Sequence, residues 1–392
     1  MSELKKQLFL SELYPPSIGG SCNLFDGRFK HYPPDTVIVL TRKVPAAAGY
    51  DEKQAYPIIR KNLPSKGPKG FEWFGVTAAL IRHGSILAIK HKIQVIQCAR
   101  PLPEGVAGWI LSKILRKKLV VNFHGEDISV LQQYRVERFL MKRVIRAATL
   151  NIANSTYTQS LVRNLGGAKA EVSTVFPGFD PNKFDSVDSK AIPDKVSRRL
   201  TGSPVLLTVG RLQDRKGQDQ VIRALPQVVK KFPDILYVVI GAPHGGNTEL
   251  PDILAGLVAE LNLSKNVSLL GEVSDAHLPY FYAACDIFIM ANRKDEGGDV
   301  EGFGIVFLEA GCFEKPVIGG KEGGSVDAIL DGKTGLLVDG RSVDDIATAI
   351  IKLCSDRSTA LKMGQEGRIH ASNLTHKKMF ERYQAEMMAR QL

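Results

Sequence analysis

At 392 residues, 44% apolar and 24% charged, the chain is long enough for two domains of ordinary size and has the composition of neither a disordered segment nor a fibre. No apolar run approaches the ~20 residues that cross a bilayer, and the start, MSELKKQLFLSELYPP, has too short an apolar core for a signal peptide, so a cytoplasmic protein is expected. The net charge of +11 divides unevenly, with 26 Lys+Arg against 13 Asp+Glu in residues 1–180 (+13) and 26 against 28 in the remainder (−2), which points to an anionic partner for the first half or to a generally basic solvated surface.

Along the chain, short β-rich runs alternate with longer helical patterns, the signature of parallel sheets built from βαβ units. The first half offers strands in KQLFLSEL, TVIVLTR, IQVIQC, KLVVNFHG, TLNIANS and EVSTVFPG. Residues 44–73, rich in Pro, Gly, Lys and Ala, read as a long loop. GWILSKILRKKL and RVERFLMKRVIRAA combine apolar and cationic positions, as helices do that pack on a sheet or lie on a membrane surface. Residues 179–203 are polar and weakly periodic and read as a linker. The second half then offers strands in PVLLTVGR, ILYVVIGA, VSLLGEV, IFIMA, PVIGG and GLLVD, and the stretch from about His376 reads as a helix. Continuous apolar strands suit sheets covered on both faces. The expected architecture is α/β: two doubly wound, Rossmann-like domains, 1–180 and 181–375, facing across a cleft, with a terminal helix over 376–392.

Polar residues gather at the predicted strand ends. Gly19 and Gly20 follow the first strand and allow backbone N–H groups close to a ligand, although GG pairs also mark ordinary turns. FHGED places His124 at the tip of the fourth predicted strand, in a structural or a functional role, with Asp127 expected to cap the next helix. VGRLQDRKG sets Arg211 and Lys216 on either side of a turn into an amphipathic helix, where both can reach one anion or stand as solvated loop charges.

DVEGFGIVFLEA raises a sharper question, because it sets Glu301 and Glu309 around a strongly apolar run that reads as a buried helix from about Gly304. A buried carboxylate needs partners, from the protein or from a ligand. Glu301 is placed either to accept hydrogen bonds from sugar hydroxyls or to complement the helix start, and Glu309 to hold a ribose diol or to pair with a neighbouring arginine. A further glycine-rich turn carries Gly319, Gly320, Gly323 and Gly324. The five cysteines are widely separated and without CxxC spacing, so buried free thiols are expected. No zinc-finger spacing, RNP-like motif or basic tail supports a nucleic-acid partner.

The set GRLQDRKG, EGFGIVFLEA with its Glu-x7-Glu spacing, PVIGGKEGGSVDAI and DGKTGLLV, with FHGED, IANSTYTQSLV and VFPGFDPNKF before it, resembles the family 4 retaining glycosyltransferases of GT-B fold, and the likeness covers nearly the whole chain. The resemblance implies that Arg211 and Lys216 hold the diphosphate of a nucleotide-sugar donor, a GDP- or UDP-sugar. Glu301 would grip the donor sugar beside the backbone of Phe303, Gly304 and Ile305; Glu309 would hold the ribose, and Val273 would meet the base. His124 would face the sugar, with Gly20 under the phosphates. Asp327 stands where the family usually has a glutamate. DVEGFGIV is also similar to the bacterial phosphatidylinositol mannosyltransferase branch, which favours mannose and a lipid-linked or glycan acceptor, and a peripheral position on an anionic membrane.

Departure of a nucleoside diphosphate needs preorganised positive charge, for which Arg211, Lys216 and the helix start at Gly304 are the candidates. No Asp-x-Asp triplet of metal-dependent transferases is present, so no metal or other cofactor is expected. Transfer with retention is expected. A sugar-nucleotide epimerase, a phosphorylase or a non-catalytic nucleotide-sugar binder would use a similar cleft.

Overall fold

The computed structural model describes residues 4–17, 20–45, 47–64, 73–184, 193–243 and 248–392. The chain separates into two compact units, Met1–Phe179 with Thr375–Leu392, and Asp180–Leu374. In the first unit the described strands are β1 (Gln7–Leu10), β2 (Val37–Arg42), β3 (Ile58–Lys61), β4 (Val95–Cys98), β5 (Lys118–Phe123), β6 (Leu150–Ala153) and β7 (Val172–Thr174). They form one parallel sheet in the order β3-β2-β1-β4-β5-β6-β7. Gln7–Leu10 run beside Val37–Leu40 on one side and Val95–Cys98 on the other, so the winding reverses between β1 and β4.

Alternate residues of these strands enter opposite layers. Leu8, Leu10, Ile38, Leu40, Leu119 and Val121 pack with Leu80, Leu87 and Leu111 of the helices Trp73–Lys90 and Val106–Leu115. Phe9, Val39, Val95 and Val120 pack on the other side with Phe25 and Phe29 of the helix Gly20–Phe29. Burial on both faces explains strands that are apolar throughout rather than alternating. Each large apolar side chain so buried contributes roughly 1.5–3 kcal/mol.

The terminal helix, His376–Ala389, belongs to this first unit. The Thr375 hydroxyl caps its start, and Met379, Phe380, Tyr383 and Met387 are buried. Tyr383 covers Arg28, whose guanidinium carbon lies 4.1 Å from the Tyr383 ring centre and 5.1 and 5.2 Å from those of Phe25 and Phe29. Arg28 is only 1% exposed, so these ring faces supply much of what stabilises a cation withdrawn from water.

The second unit carries β8 (Val205–Val209), β9 (Leu236–Ile240), β10 (Val267–Leu269), β11 (Ile287–Met290), β12 (Val317–Gly320) and β13 (Gly335–Val338), all parallel, in the order β10-β9-β8-β11-β12-β13. Here the winding reverses between β8 and β11. Ligands of open α/β sheets bind at the carboxyl ends of strands at such reversals.

Two expectations need correction. The stretch read as a long loop, 44–73, contains a helical turn, Ala48–Asp51, and the strand β3; residues 46 and 65–72 lie outside the described residues. Its sequence, IIRK, is only half-buried at the sheet edge, which is why it lacks the apolar signal of the central strands. The stretch read as a linker holds the short turns Pro181–Phe184 and Asp194–Ser197, with 185–192 outside the described residues. No helix among the described residues is long and apolar enough to cross a membrane.

Candidate active site

In the second unit β8 ends at Val209, and Gly210 and Arg211 follow at the winding reversal. One turn of 3-10 helix, Asp214–Lys216, leads to Gly217 at φ +75°, and the helix Gln218–Val229 begins. Glycine alone takes that backbone cheaply, and a Cβ at 217 would sit 2.1 Å from the Ala291 carbonyl oxygen. The tight turn withdraws Arg215 and Lys216 from solvent, leaving them 4% and 8% exposed. It is also tied to its neighbour after β11: the Arg293 N–H donates to the Arg215 carbonyl at 2.8 Å, and the Arg293 guanidinium pairs with Asp219 at 2.9 and 3.0 Å.

The acids that meet these cations come from the same neighbour. Beyond β11 a turn over 295–299 is closed by the Asp299 N–H donating to the Asp295 carboxylate at 2.8 Å. Asp299 forms an ion pair with Arg215, its carboxylate 2.8 Å from Nε, and Glu301 accepts the Arg215 Nη1 at 2.9 Å and the Lys216 ammonium on the same oxygen. Burial by itself would raise the Glu301 pKa, but Lys216 and then Arg215 outweigh it and hold the carboxyl at about 2. Lys216 is lowered by burial, against the opposing pull of Glu301, with Arg215 adding to the lowering. The charges question raised by DVEGFG is thus answered within the chain: Glu301 is buried because two cations are buried with it.

The backbone of Glu301 is fixed as well. Its carbonyl accepts the Gly324 N–H at 2.7 Å, which ties it to the turn between β12 and the short helix Ser325–Ala328. Phe303 is buried, and Gly304, at φ +91°, caps the helix Ile305–Cys312. The first amides of that helix have no carbonyl partner within it, and its dipole sets a partial positive charge there. Buried cations beside a helix start suit stabilisation of a departing anion.

The structure therefore brings Lys216, Glu301 and Gly304 together and sets Ile305 and Phe303 beside them in the chain. Arg211 stands exposed at the β8 tip; among the described residues it makes no ion pair, and its charge adds to the field at Lys216. Glu309 lies further along the helix and accepts the Tyr282 hydroxyl at 2.7 Å, so its oxygen is oriented by a phenol. Val273 lies beyond β10 and lines a pocket of about 160 Å³ with Leu270, Glu272, Ser274, His277 and Phe281.

In the first unit Gly20 opens the helix Gly20–Phe29, while Gly19 lies outside the described residues. His124 follows β5, and its ring Nε2 donates to the Ala99 carbonyl at the β4 tip at 2.9 Å, leaving Nδ1 as an acceptor. Burial, reinforced by Arg100, lowers its pKa to about 3, so the ring is neutral near pH 7. Asp127 does not sit at the helix cap. It is the second residue of the short helix Glu126–Ser129 and reaches back to accept the His124 N–H at 3.0 Å. Sequence reasoning missed Arg215 and Asp299. The adjacent Arg-Lys pair and the Asp-x-Glu spacing were the available signals, since the second cation and the second acid balance the first of each.

Residues 190–370 match the family described as glycosyl transferases group 1, and residues 35–183 match Glycosyltransferase Family 4. A GDP-mannose-dependent alpha-(1-6)-phosphatidylinositol monomannoside mannosyltransferase of Mycolicibacterium smegmatis is 31% identical over 84% of this chain and 84% of its own. The chain belongs to the family 4 glycosyltransferases. A GDP-mannose-dependent monoacylated relative from Corynebacterium glutamicum is 28% identical over 94% of each chain to this family 4 glycosyltransferase. The fold is GT-B: Anabaena HepE, solved in complex with UDP, matches with a TM-score of 0.81 at 22% identity over 98% of this chain and 100% of its own. A sucrose-phosphate synthase from Thermosynechococcus elongatus matches with a TM-score of 0.78 at 21% identity over 98% of this chain.

Proposed function

We propose that this glycosyltransferase moves a hexosyl residue, mannose in first place, from a nucleotide-diphosphate sugar to a hydroxyl of a lipid-linked or glycan acceptor, with retention of configuration and without a metal ion. The observation that carries the reading is the buried Lys216–Glu301 contact beside the start of the helix Ile305–Cys312. In this reading it offers an ammonium that turns to a departing diphosphate and a carboxylate for sugar hydroxyls in one place. Aimed donors of this kind are each worth roughly 3–4 kcal/mol of barrier in other enzymes. The mannosyltransferase names of the relatives favour mannose and a phosphoinositide acceptor.

In this reading Arg211 and Lys216 hold the diphosphate. Glu301 and the backbone of Phe303, Gly304 and Ile305 hold the sugar, Glu309 holds the ribose and the Val273 pocket takes the base. His124, neutral, is assigned to the sugar by the resemblance. Asp327, one methylene shorter than the family's glutamate, keeps the charge of that turn. The acceptor hydroxyl attacks the anomeric carbon on the side from which the phosphate leaves, and the departing phosphate oxygen takes its proton. The protein works on the cytoplasmic side, docked on an anionic membrane through its basic first half.

The test is consumption of GDP- and UDP-sugars with a phosphatidylinositol mannoside acceptor, in the presence of a chelator, followed by NMR of the product anomer. Transfer from GDP-mannose with retention is expected, undiminished by the chelator. An inverted product, or turnover abolished by chelation and restored by a divalent ion, rejects the mechanism.

A further inference from the structure

The four ionised side chains of the buried cluster balance: Arg215 and Lys216 stand against Asp299 and Glu301. A diphosphate, on the reading above, draws the Lys216 ammonium toward itself. Glu301, only 9% exposed, then loses part of the charge that keeps it ionised. A buried carboxylate without a cation takes up a proton. Arg215 is built to prevent this. Its guanidinium stays charged at any relevant pH, and its planar fork meets two acids at once, Nε on Asp299 and Nη1 on Glu301. Its carbonyl accepts the Arg293 N–H and its guanidinium lies between two acids, which keep it with Glu301.

We propose that Arg215 is a positioning residue: pinned by Asp299, it keeps Glu301 ionised and oriented while Lys216 turns its charge to a bound diphosphate. The inference rests on the donor reading above. Among the described residues, the charged groups that face Glu301 are Lys216 and Arg215 from the 214–216 turn, with Asp299 acting through Arg215 and Arg211 through Lys216. The turn behind it presents Gly323 and Gly324, and the first turn of the helix Ile305–Cys312 has no acid.

The experiment is calorimetric titration of the full-length protein with GDP and with UDP near pH 6, in buffers of different ionisation heat, on wild type, Arg215→Gln and Arg215→Lys. Wild type sets the reference proton count. Arg215→Gln is expected to bind roughly tenfold more weakly and to take up about one proton more than wild type, as Glu301 protonates; the added change Glu301→Gln abolishes that extra proton. Arg215→Lys, which keeps the charge but reaches one acid instead of two, is expected to keep the wild-type proton count while turnover of GDP-mannose falls roughly tenfold. A folded Arg215→Gln with wild-type affinity and proton count overturns the inference. Should that variant fail to fold, wild-type turnover by Arg215→Lys overturns it. Failure of the wild-type protein to bind either nucleotide overturns instead the donor reading beneath it.

Discussion

Glu104 and Glu301 are both buried acids, and their surroundings send them in opposite directions. Glu104 is 1% exposed; one oxygen accepts the Glu12 N–H at 2.8 Å, the other has no hydrogen-bond partner among the described residues, and burial, only partly offset by Arg100, raises its pKa from 4.5 to about 7. The unfolded chain ionises this carboxyl near 4.5 and the folded chain near 7, so the stability it contributes is full at low pH and is lost as pH rises across that window, on the order of 3 kcal/mol. Glu104→Gln is therefore expected to gain in Tm relative to wild type between pH 5 and 8, and a Tm difference independent of pH would contradict the assignment. Glu301, held at about 2, does the reverse: its contribution is present above 4.5 and disappears as pH falls toward 2. The sequence showed that Glu301 needed partners but could not rank the candidates. The sequence singles out Arg211, which stands directly on a strand tip, and only the tertiary path of the 295–301 segment reveals that Arg215 is the guanidinium withdrawn from water.

At the scale of elements, the carboxyl edge of the second sheet is packed backbone against backbone. A Cβ at Gly217 would meet the Ala291 carbonyl oxygen at 2.1 Å, and one at Gly320 would meet that of Asn292 at 1.6 Å. Both contacts converge on the residues just past β11, so the turn carrying Lys216 and the strand leading to the 323–324 turn are positioned by one short segment. Asn292 adds side-chain bonds there, to the Gly320 N–H at 3.0 Å and the Glu322 carbonyl at 2.9 Å. Gly217→Ala is expected to cost about 3 kcal/mol through left-handed strain plus displacement of Ala291, read as a lower urea midpoint, with nucleotide affinity falling in the folded fraction. Unchanged midpoint and affinity would mean that the turn does not position Lys216. The central strands and the helix after Gly304 were legible in the sequence because continuous apolar runs bounded by glycine leave few alternatives. β3 was not, since an edge strand is half solvated and carries no such pattern.

For the whole molecule, charge is the property that local structure least explains. The +13 of residues 1–180 gathers in part on the helix Arg135–Ala147, where Arg135, Arg138, Lys142, Arg143 and Arg146 are exposed while Met141, Val144 and Ile145 face the core. Val136 and Phe139 remain 50% and 55% exposed among those cations, and Arg143 lies 5.0 Å from the Phe139 ring centre. One face of the helix thus packs on the core, and the other, cationic with two exposed apolar side chains, is the face on which the proposed membrane docking rests. With each basic residue worth about 1 kcal/mol at an anionic surface, flotation with vesicles rich in anionic lipid is expected to carry most of the protein at physiological salt and little of a Phe139→Asp, Arg143→Glu variant. Protein left wholly in the dense fraction would remove membrane docking from the proposal.

The terminal helix has a practical consequence for anyone dissecting the enzyme. Residues 180–374 form one uninterrupted stretch, whereas the other unit is assembled from two separated stretches, 1–179 and 375–392. The His376 N–H donates to the Phe179 carbonyl at 3.0 Å, so a splice joining those two ends spans almost no distance. A truncation that merely removes the tail would strip Tyr383 from the Arg28 guanidinium and flood a sealed cation with water, and such a fragment is a poor surrogate for the isolated domain.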